Sequence, residues 1–144
     1  MYSLRDVVTS DLAWLYELNR QSYEDVVVEQ FGEWDDAFQR EMFSKNWNGR
    51  EAQIIIIGGV DSGVLSVQSH EDFNLLVEIQ LLPQHRSQGI GTMIIEREIA
   101  KSRKQKKSLQ LQVLHKNTAA QRLYYRLGFT EVGISKTHYR MEVR

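Results

Sequence analysis

Apolar positions along the chain recur at two spacings, and the changes between them divide it into elements. YSLRDVV predicts a short first strand, and Leu12, Leu15, Tyr16 and Leu18 then recur at helical spacing, with Thr9 or Ser10 placed to cap the helix. A second helical piece is predicted over 35–43, with Phe38, Met42 and Phe43 facing inward. Between them, YEDVVVEQFGEW keeps no clean period. It reads as a loop or an irregular helix, a kind of segment that often carries substrate contacts.

QIIIIGGV, SGVLSVQSH and FNLLVEIQLL are strand candidates separated by Gly59–Gly63 and His70–Asp72, and they predict an antiparallel meander. PQHRSQGIGT follows, and then MIIEREIAKSRKQKK, where Ile90, Met93, Ile94 and Ile99 recur near helical period and basic residues gather at the C-terminal end, as the helix dipole favours. SLQLQVL alternates over one strand's length. NTAAQRLYYRLG predicts a helix capped near Asn117 and stopped at Gly128, and FTEVGISKTHYRMEVR predicts two short strands around Gly133–Lys136. The order β-α-α-β-β-β-α-β-α-β-β predicts a mixed α/β fold around one central sheet, as a single domain over 1–144. No repeat, linker or low-complexity tract interrupts it, and the basic run Lys101–Lys107 reads as a solvated helix end.

Composition narrows the partners. With 144 residues, 42% of them hydrophobic, the chain has enough apolar mass for one core. A net charge of -1 and a pI near 6.4 provide no global positive field, which argues against nucleic acid or an anionic membrane as partner. The absence of cysteine excludes disulfides, a thiolate nucleophile and thiolate metal sites. His70, His85, His115 and His138 show no HxxxH or HExxH spacing, so no metal site is expected. Arg5, Asp6 and Asp11 make the N-terminus unlike a signal peptide, and QIIIIGGV is far shorter than the roughly 20 residues that span a bilayer. A cytoplasmic protein is the expectation.

HRSQGIGT stands apart because it puts two glycines at the start of a helix, where each costs about 1 kcal/mol relative to alanine. A tight strand-to-helix turn would account for them. So would an anion, because the first N–H groups of a helix have no internal partner and lie at the positive end of its dipole. Neither GxxxxGK[ST] nor GxGxxG is present, which weakens nucleotide hydrolase and dinucleotide readings.

LLPQHRSQGIGT resembles the acetyl-CoA-binding signature of the GNAT N-acetyltransferase superfamily, [RQ]-x-x-G-x-[GA], through Arg86, Gly89 and Gly91. NTAAQRLYYRLGF is similar to that family's N-x-x-A-x-x-L-Y-x-x-x-G-F segment through Asn117, Ala120, Leu123, Tyr124, Gly128 and Phe129. The resemblance spans essentially the whole chain and is strongest over 75–130. It implies that the strand holding Ile79, Gln80 and Leu81 splays from SLQLQVL, with the pantetheine arm of acetyl-CoA on its backbone. The pyrophosphate would rest after Arg86 on the amides of Ser87, Gln88, Gly89, Ile90, Gly91 and Thr92. Asn117 matches a position that contacts the cofactor, and Tyr124 the tyrosine that protonates the departing thiolate. A core aromatic beside Leu123 and Leu127 is the alternative for Tyr124.

Acetyl transfer to an amine also needs a proton acceptor, and here the chain departs from the family. Positions that hold a base in some members carry Leu75, Val77 and Gln112. Glu78 is the only ionisable residue between Phe73 and Pro83, and burial there would raise its pKa, as suits a base; a structural carboxylate or a water relay are the alternatives. Glu29 and Glu33 beside Phe31 and Trp34 suit a cationic amine, or else form a solvated acidic face. His138 and Tyr139 are placed to approach the acceptor from another wall, unless strand alternation turns His138 to water. The expected function is direct transfer of acetyl from acetyl-CoA to a primary amine of a small molecule, peptide or protein, without a covalent enzyme intermediate. A catalytically silent acyl-CoA-binding domain is the alternative, and homodimerisation stays open.

Overall fold

A computed structural model describes residues 1–47 and 51–144. The chain forms β1 (Ser3–Asp6), a 3₁₀ turn (Thr9–Asp11), α1 (Leu12–Phe31), α2 (Asp36–Trp47), β2 (Gln53–Ile57), β3 (Val60–Ser69) and β4 (Phe73–Leu81). A second 3₁₀ turn (Pro83–His85) leads to α3 (Ile90–Lys104), β5 (Ser108–Leu114), α4 (Thr118–Arg126), β6 (Thr130–Ile134) and β7 (His138–Val143). This is the expected order of elements. The strands make one mixed seven-stranded sheet in the order β1-β2-β3-β4-β5-β7-β6. β4 and β5 are its parallel pair, joined through α3 as a parallel connection requires.

The chain divides into two compact units, Met1–Ser66 with Glu78–Arg86 and Val67–Val77 with Ser87–Arg144. In the first, Leu15, Tyr16 and Leu18 of α1 and Phe43 and Trp47 of α2 pack on Ile54 of β2 and Val64 of β3. In the second, α3 buries Ile94, Ile95 and Ile99, and β5 and β7 bury Leu109, Leu111, Val113, Met141 and Val143. Its parallel ladder runs from Phe73↔Ser108 to Leu76↔Leu111, while β4 itself continues to Leu81 and β5 to Leu114. Among the described residues, no helix is long and apolar enough to cross a membrane.

Four local expectations are corrected. YEDVVVEQFGEW is neither a loop nor an irregular helix over its first nine residues: α1 continues unbroken through Phe31, and only Gly32, Glu33 and Trp34 lie outside it, with the Gly32 N–H bonding to the Val28 carbonyl at 2.8 Å. Three successive valines weaken the helical signal, but burial of Val27 overrides their modest propensity cost. Thr9 and Ser10 do not cap α1; they form a 3₁₀ turn in which the Asp11 carboxylate accepts the Val8 N–H at 2.9 Å. Arg5 clamps the same carboxylate at 2.9 Å and lowers its pKa.

Phe38 and Met42 do not face inward; they are 53% and 37% exposed, because α2 runs on to Trp47 and buries the i, i+4 pair Phe43 and Trp47 instead. The first hairpin turns at Gly58–Gly59, not across 59–63, and Gly63 lies inside β3 opposite Ile55. There β3 carries an extra residue, and a Cβ on Gly63 would overlap the carbonyl oxygen of Gln80 in β4. Gly63 therefore marks a close backbone approach rather than a turn.

α4 is capped as expected, with Asn117 Oδ1 accepting the Ala120 N–H at 3.3 Å. Asn117→Ala should lower stability by about 1 kcal/mol, read by chemical denaturation, whereas Asn117→Ser should retain most of it.

Candidate active site

The glycine loop joins the C-terminal end of β4 to α3. Ser87 and Gly89 both adopt left-handed backbone, with φ of 61° and 78°, and Gly89 is the residue from which α3 starts. Glycine carries no Cβ penalty there, which answers half of the question posed by the two glycines. Met93 is the first residue to close a helical turn, its N–H bonding to the Gly89 carbonyl at 3.0 Å. The amides of Ile90, Gly91 and Thr92 precede it at the positive end of a 15-residue helix, and Ser87, Gln88 and Gly89 are exposed. This arrangement presents backbone donors to an anion. Arg86 serves the loop differently from a ligand-facing side chain: its Nε donates to the Leu81 carbonyl at 2.9 Å and its Nη2 to Ser22 Oγ at 3.2 Å. It ties the end of β4 to α1.

Ile79, Gln80 and Leu81 occupy the last three positions of β4. The Leu82 N–H donates to the Ser62 carbonyl of β3 at 2.9 Å. Successive amides of an extended chain point to opposite edges, so the Leu81 amide faces away from β3.

Glu78 is half-buried on the α1 side of β4, and its Oε2 accepts from Gln80 Nε2 at 2.9 Å and from the Tyr23 hydroxyl at 3.2 Å. Gln80 is 4% exposed, and its Nε2 also donates to Asn19 Oδ1 at 3.1 Å. Glu78 and Gln80 thus share a face, as strand alternation predicts. The sequence reading does not single out Asn19, Ser22 or Tyr23, and of the three only Tyr23 falls in the segment that keeps no clean period. Their i, i+3, i+4 spacing was the signal available, and it places all three on one helix face.

In the second unit, Tyr124 is half-buried, its ring centroid 5.6 Å from that of Phe129 and its carbonyl accepting the Phe129 N–H at 3.0 Å. Asn117 spends its side-chain oxygen on the α4 cap. Gln121, which the sequence did not single out, donates from Nε2 to the Leu114 and His115 carbonyls at 3.0 Å each, holding α4 on the end of β5. Gln112 is exposed.

His138, at the start of β7, pairs with Leu114 at the end of β5. It is half-buried, and its Nδ1 lies 2.7 Å from Thr137 Oγ1. Burial, with a smaller contribution from nearby His115, pushes its pKa below the usual histidine value. His138 therefore does not turn fully to water.

Glu29 lies exposed in the last turn of α1, and Glu33 is exposed just after it. Trp34 is half-buried and takes part in an internal cluster: its Nε1 donates to Asp36 Oδ1 at 3.4 Å, and the Arg20 guanidinium lies 5.8 Å from its ring. The Tyr16 hydroxyl donates to the same Asp36 oxygen at 2.6 Å, and these bonds together with Arg40 lower the Asp36 pKa to about 2.

Comparison with known proteins agrees with the fold. The acetyltransferase (GNAT) domain family matches residues 50–131, more than half of the chain. No curated protein sequence matches. Among solved structures, the PaiA N-acetyltransferase of Thermoplasma acidophilum, in complex with coenzyme A, superposes with a TM-score of 0.76 at 19% identity, covering 100% of this chain and 99% of its own. The ribosomal-protein-S18-alanine N-acetyltransferase of Escherichia coli gives 0.68 at 20% identity over 99% and 93% of the two chains. Naa50 of Arabidopsis thaliana, in complex with the bisubstrate analogue CoA-Ac-MVNAL, gives 0.65 at 16% identity over 99% and 98%.

Proposed function

The chain belongs to the GNAT acetyltransferase family, and on that premise we propose that it moves an acetyl group from acetyl-CoA directly to a primary amine of a small molecule, peptide or protein. The observation that carries this reading is the Ser87–Thr92 backbone, exposed over Ser87, Gln88 and Gly89 and half-buried beyond them, with left-handed Gly89 opening α3. In this reading those amides hold the pyrophosphate, the backbone of Ile79, Gln80 and Leu81 holds the pantetheine arm, and Asn117 contacts the cofactor.

Three tasks remain once acetyl-CoA is bound. Charge developing on the thioester oxygen needs a donor, and the Leu81 amide, turned away from β3, supplies it. The departing thiolate needs a proton or a strong hydrogen bond, and Tyr124 supplies that. The incoming amine must lose a proton, and Glu78 accepts it: half-buried, it is the carboxylate that β4 itself carries. The N–C bond forms as the C–S bond breaks, so no enzyme-bound acetyl group arises. Glu29, Glu33, Trp34 and His138 are outlying contacts for the acceptor.

Calorimetry should detect acetyl-CoA binding, with a melting temperature that rises with ligand concentration. A panel of amines screened for free CoA release should then yield a substrate. Absence of binding at millimolar acetyl-CoA overturns the proposal; binding with a blank panel favours a silent acyl-CoA-binding domain.

A further inference from the structure

Gln80 holds an acceptor that the fold leaves unused. Its Oε1 is buried and has no hydrogen-bond partner among the described residues. Exchanging the amide oxygen and nitrogen does not remove the problem. Glu78, as a carboxylate, has no hydrogen to give, so the Gln80 nitrogen must face its Oε2, and the oxygen must take the other direction. A buried carbonyl without a donor loses its hydration and gains nothing in return.

Two other buried side-chain atoms lack a partner among the described residues, Asn74 Oδ1 and His115 Nε2. Asn74 is bonded to the neutral side chains of Ser102 and Gln105, and the His115 ring packs on Tyr139 at 4.5 Å between centroids. Of the three, Gln80 is the one bonded to a carboxylate. That pairing makes the difference chemically. A carboxylate and an amide oxygen on one strand face, with the amide nitrogen already spent between them, form a set of acceptors with one negative charge and no donor to offer an incoming group.

We infer that Gln80 Oε1 and the Glu78 carboxylate together receive the ammonium group of an aliphatic primary amine, and that Gln80 is a specificity-determining residue. The inference rests on the acetyl-transfer reading above. An ammonium has three N–H donors: one goes to Gln80 Oε1 and one to Glu78. Transfer of the second proton to Glu78 leaves a neutral amine still held through Gln80, its lone pair free to attack the acetyl carbon. An alcohol brings one hydrogen and no charge, and an arylamine is neutral in water, so both meet the carboxylate less favourably. Asn19 and Tyr23 are positioning residues, since Asn19 orients the Gln80 amide and Tyr23 the Glu78 carboxylate.

The test uses the full chain saturated with CoA and follows the Gln80 side-chain amide by ¹⁵N NMR and the Glu78 carboxyl by ¹³C NMR during titration with n-butylammonium chloride, and separately with 1-butanol. The resonances should move with butylammonium and stay in place with butanol. Gln80→Met, which keeps the length of the side chain and removes both polar atoms, should raise the butylammonium dissociation constant, read from the midpoint of the Glu78 titration, at least about tenfold, about 1.4 kcal/mol. An unmoved Gln80 amide, or equal movement with both probes, overturns the inference and leaves Oε1 with a structural role or a water. The wild-type titration stands even if the variant folds poorly. Failure of CoA to bind the wild-type protein would instead sink the acetyl-transfer reading itself.

Discussion

Tyr124→Phe should lower kcat by about 100-fold while the dissociation constant for acetyl-CoA stays within about twofold. The substitution removes one oxygen and leaves the ring, which packs against Phe129 at 5.6 Å between centroids. The size follows from ordinary acidities. A phenol, with a pKa near 10, is a weaker acid than a thiol, with a pKa near 8.5. Full proton transfer to a thiolate is therefore uphill, and the hydroxyl acts mainly by hydrogen-bonding charge as it develops on sulfur. That places it toward the low end of the 10²–10⁴ range for positioned acids. Because the interaction exists only as the C–S bond breaks, it should appear in kcat and kcat/KM equally. Unchanged turnover in the variant would remove Tyr124 from the chemistry and hand the sulfur to solvent.

Gly63→Ala should be strongly destabilising, because among the described glycines of the first unit only Gly63 would place a Cβ against other atoms. Its Cβ would overlap the Gln80 carbonyl and come within 2.9 Å of Leu81 Cδ2. The leucine can rotate; the carbonyl belongs to the sheet backbone and cannot. Overpacking costs about 1–3 kcal/mol in general, and a backbone obstacle puts this site at about 3 kcal/mol. For a chain of this length that is a drop in melting temperature of roughly 6–12 °C. Any backbone shift that relieves the clash moves β4 at Gln80 and Leu81, so acetyl-CoA affinity should fall with stability. A melting temperature within about 1 °C of wild type would show that β3 and β4 can part there without cost.

Particular residues show why some of this was legible and some was not. Period alone placed α3, β5 and α4, because each has an apolar stripe of the length of its element and a recognisable stop. The same reasoning failed on the second half of α1. Val26, Val27 and Val28 each have a weak intrinsic preference against helix, and what decides between helix and loop is whether one of them is buried. Val27 is. It failed again at Phe38 and Met42, since an aromatic or a methionine fits the inner or the outer face of a helix, and the contact that selects Phe43 is made by Tyr16 in another helix, with Trp47 packing on Phe43. For the candidate site, Gly89 could be found from the sequence because a left-handed helix start leaves a residue-type signature. The Gln80 oxygen could not, because a glutamine in a strand carries no mark of whether its amide is satisfied.

The sequence by itself determined the order of elements, the family and the position of the glycine loop, all of which depend on local backbone preferences and on motifs only a few residues long. The tertiary structure decided what Gly63, Arg86, Glu78 and Gln80 do. Each acts through a partner far away in the chain: Gly63 by admitting the Gln80 carbonyl, Arg86 by holding the Leu81 carbonyl and Ser22, Glu78 by accepting from Tyr23, and Gln80 by reaching Asn19. Hydrogen bonding and steric exclusion act over a few ångströms of space. Spacing along the sequence does not record which distant residues that space contains.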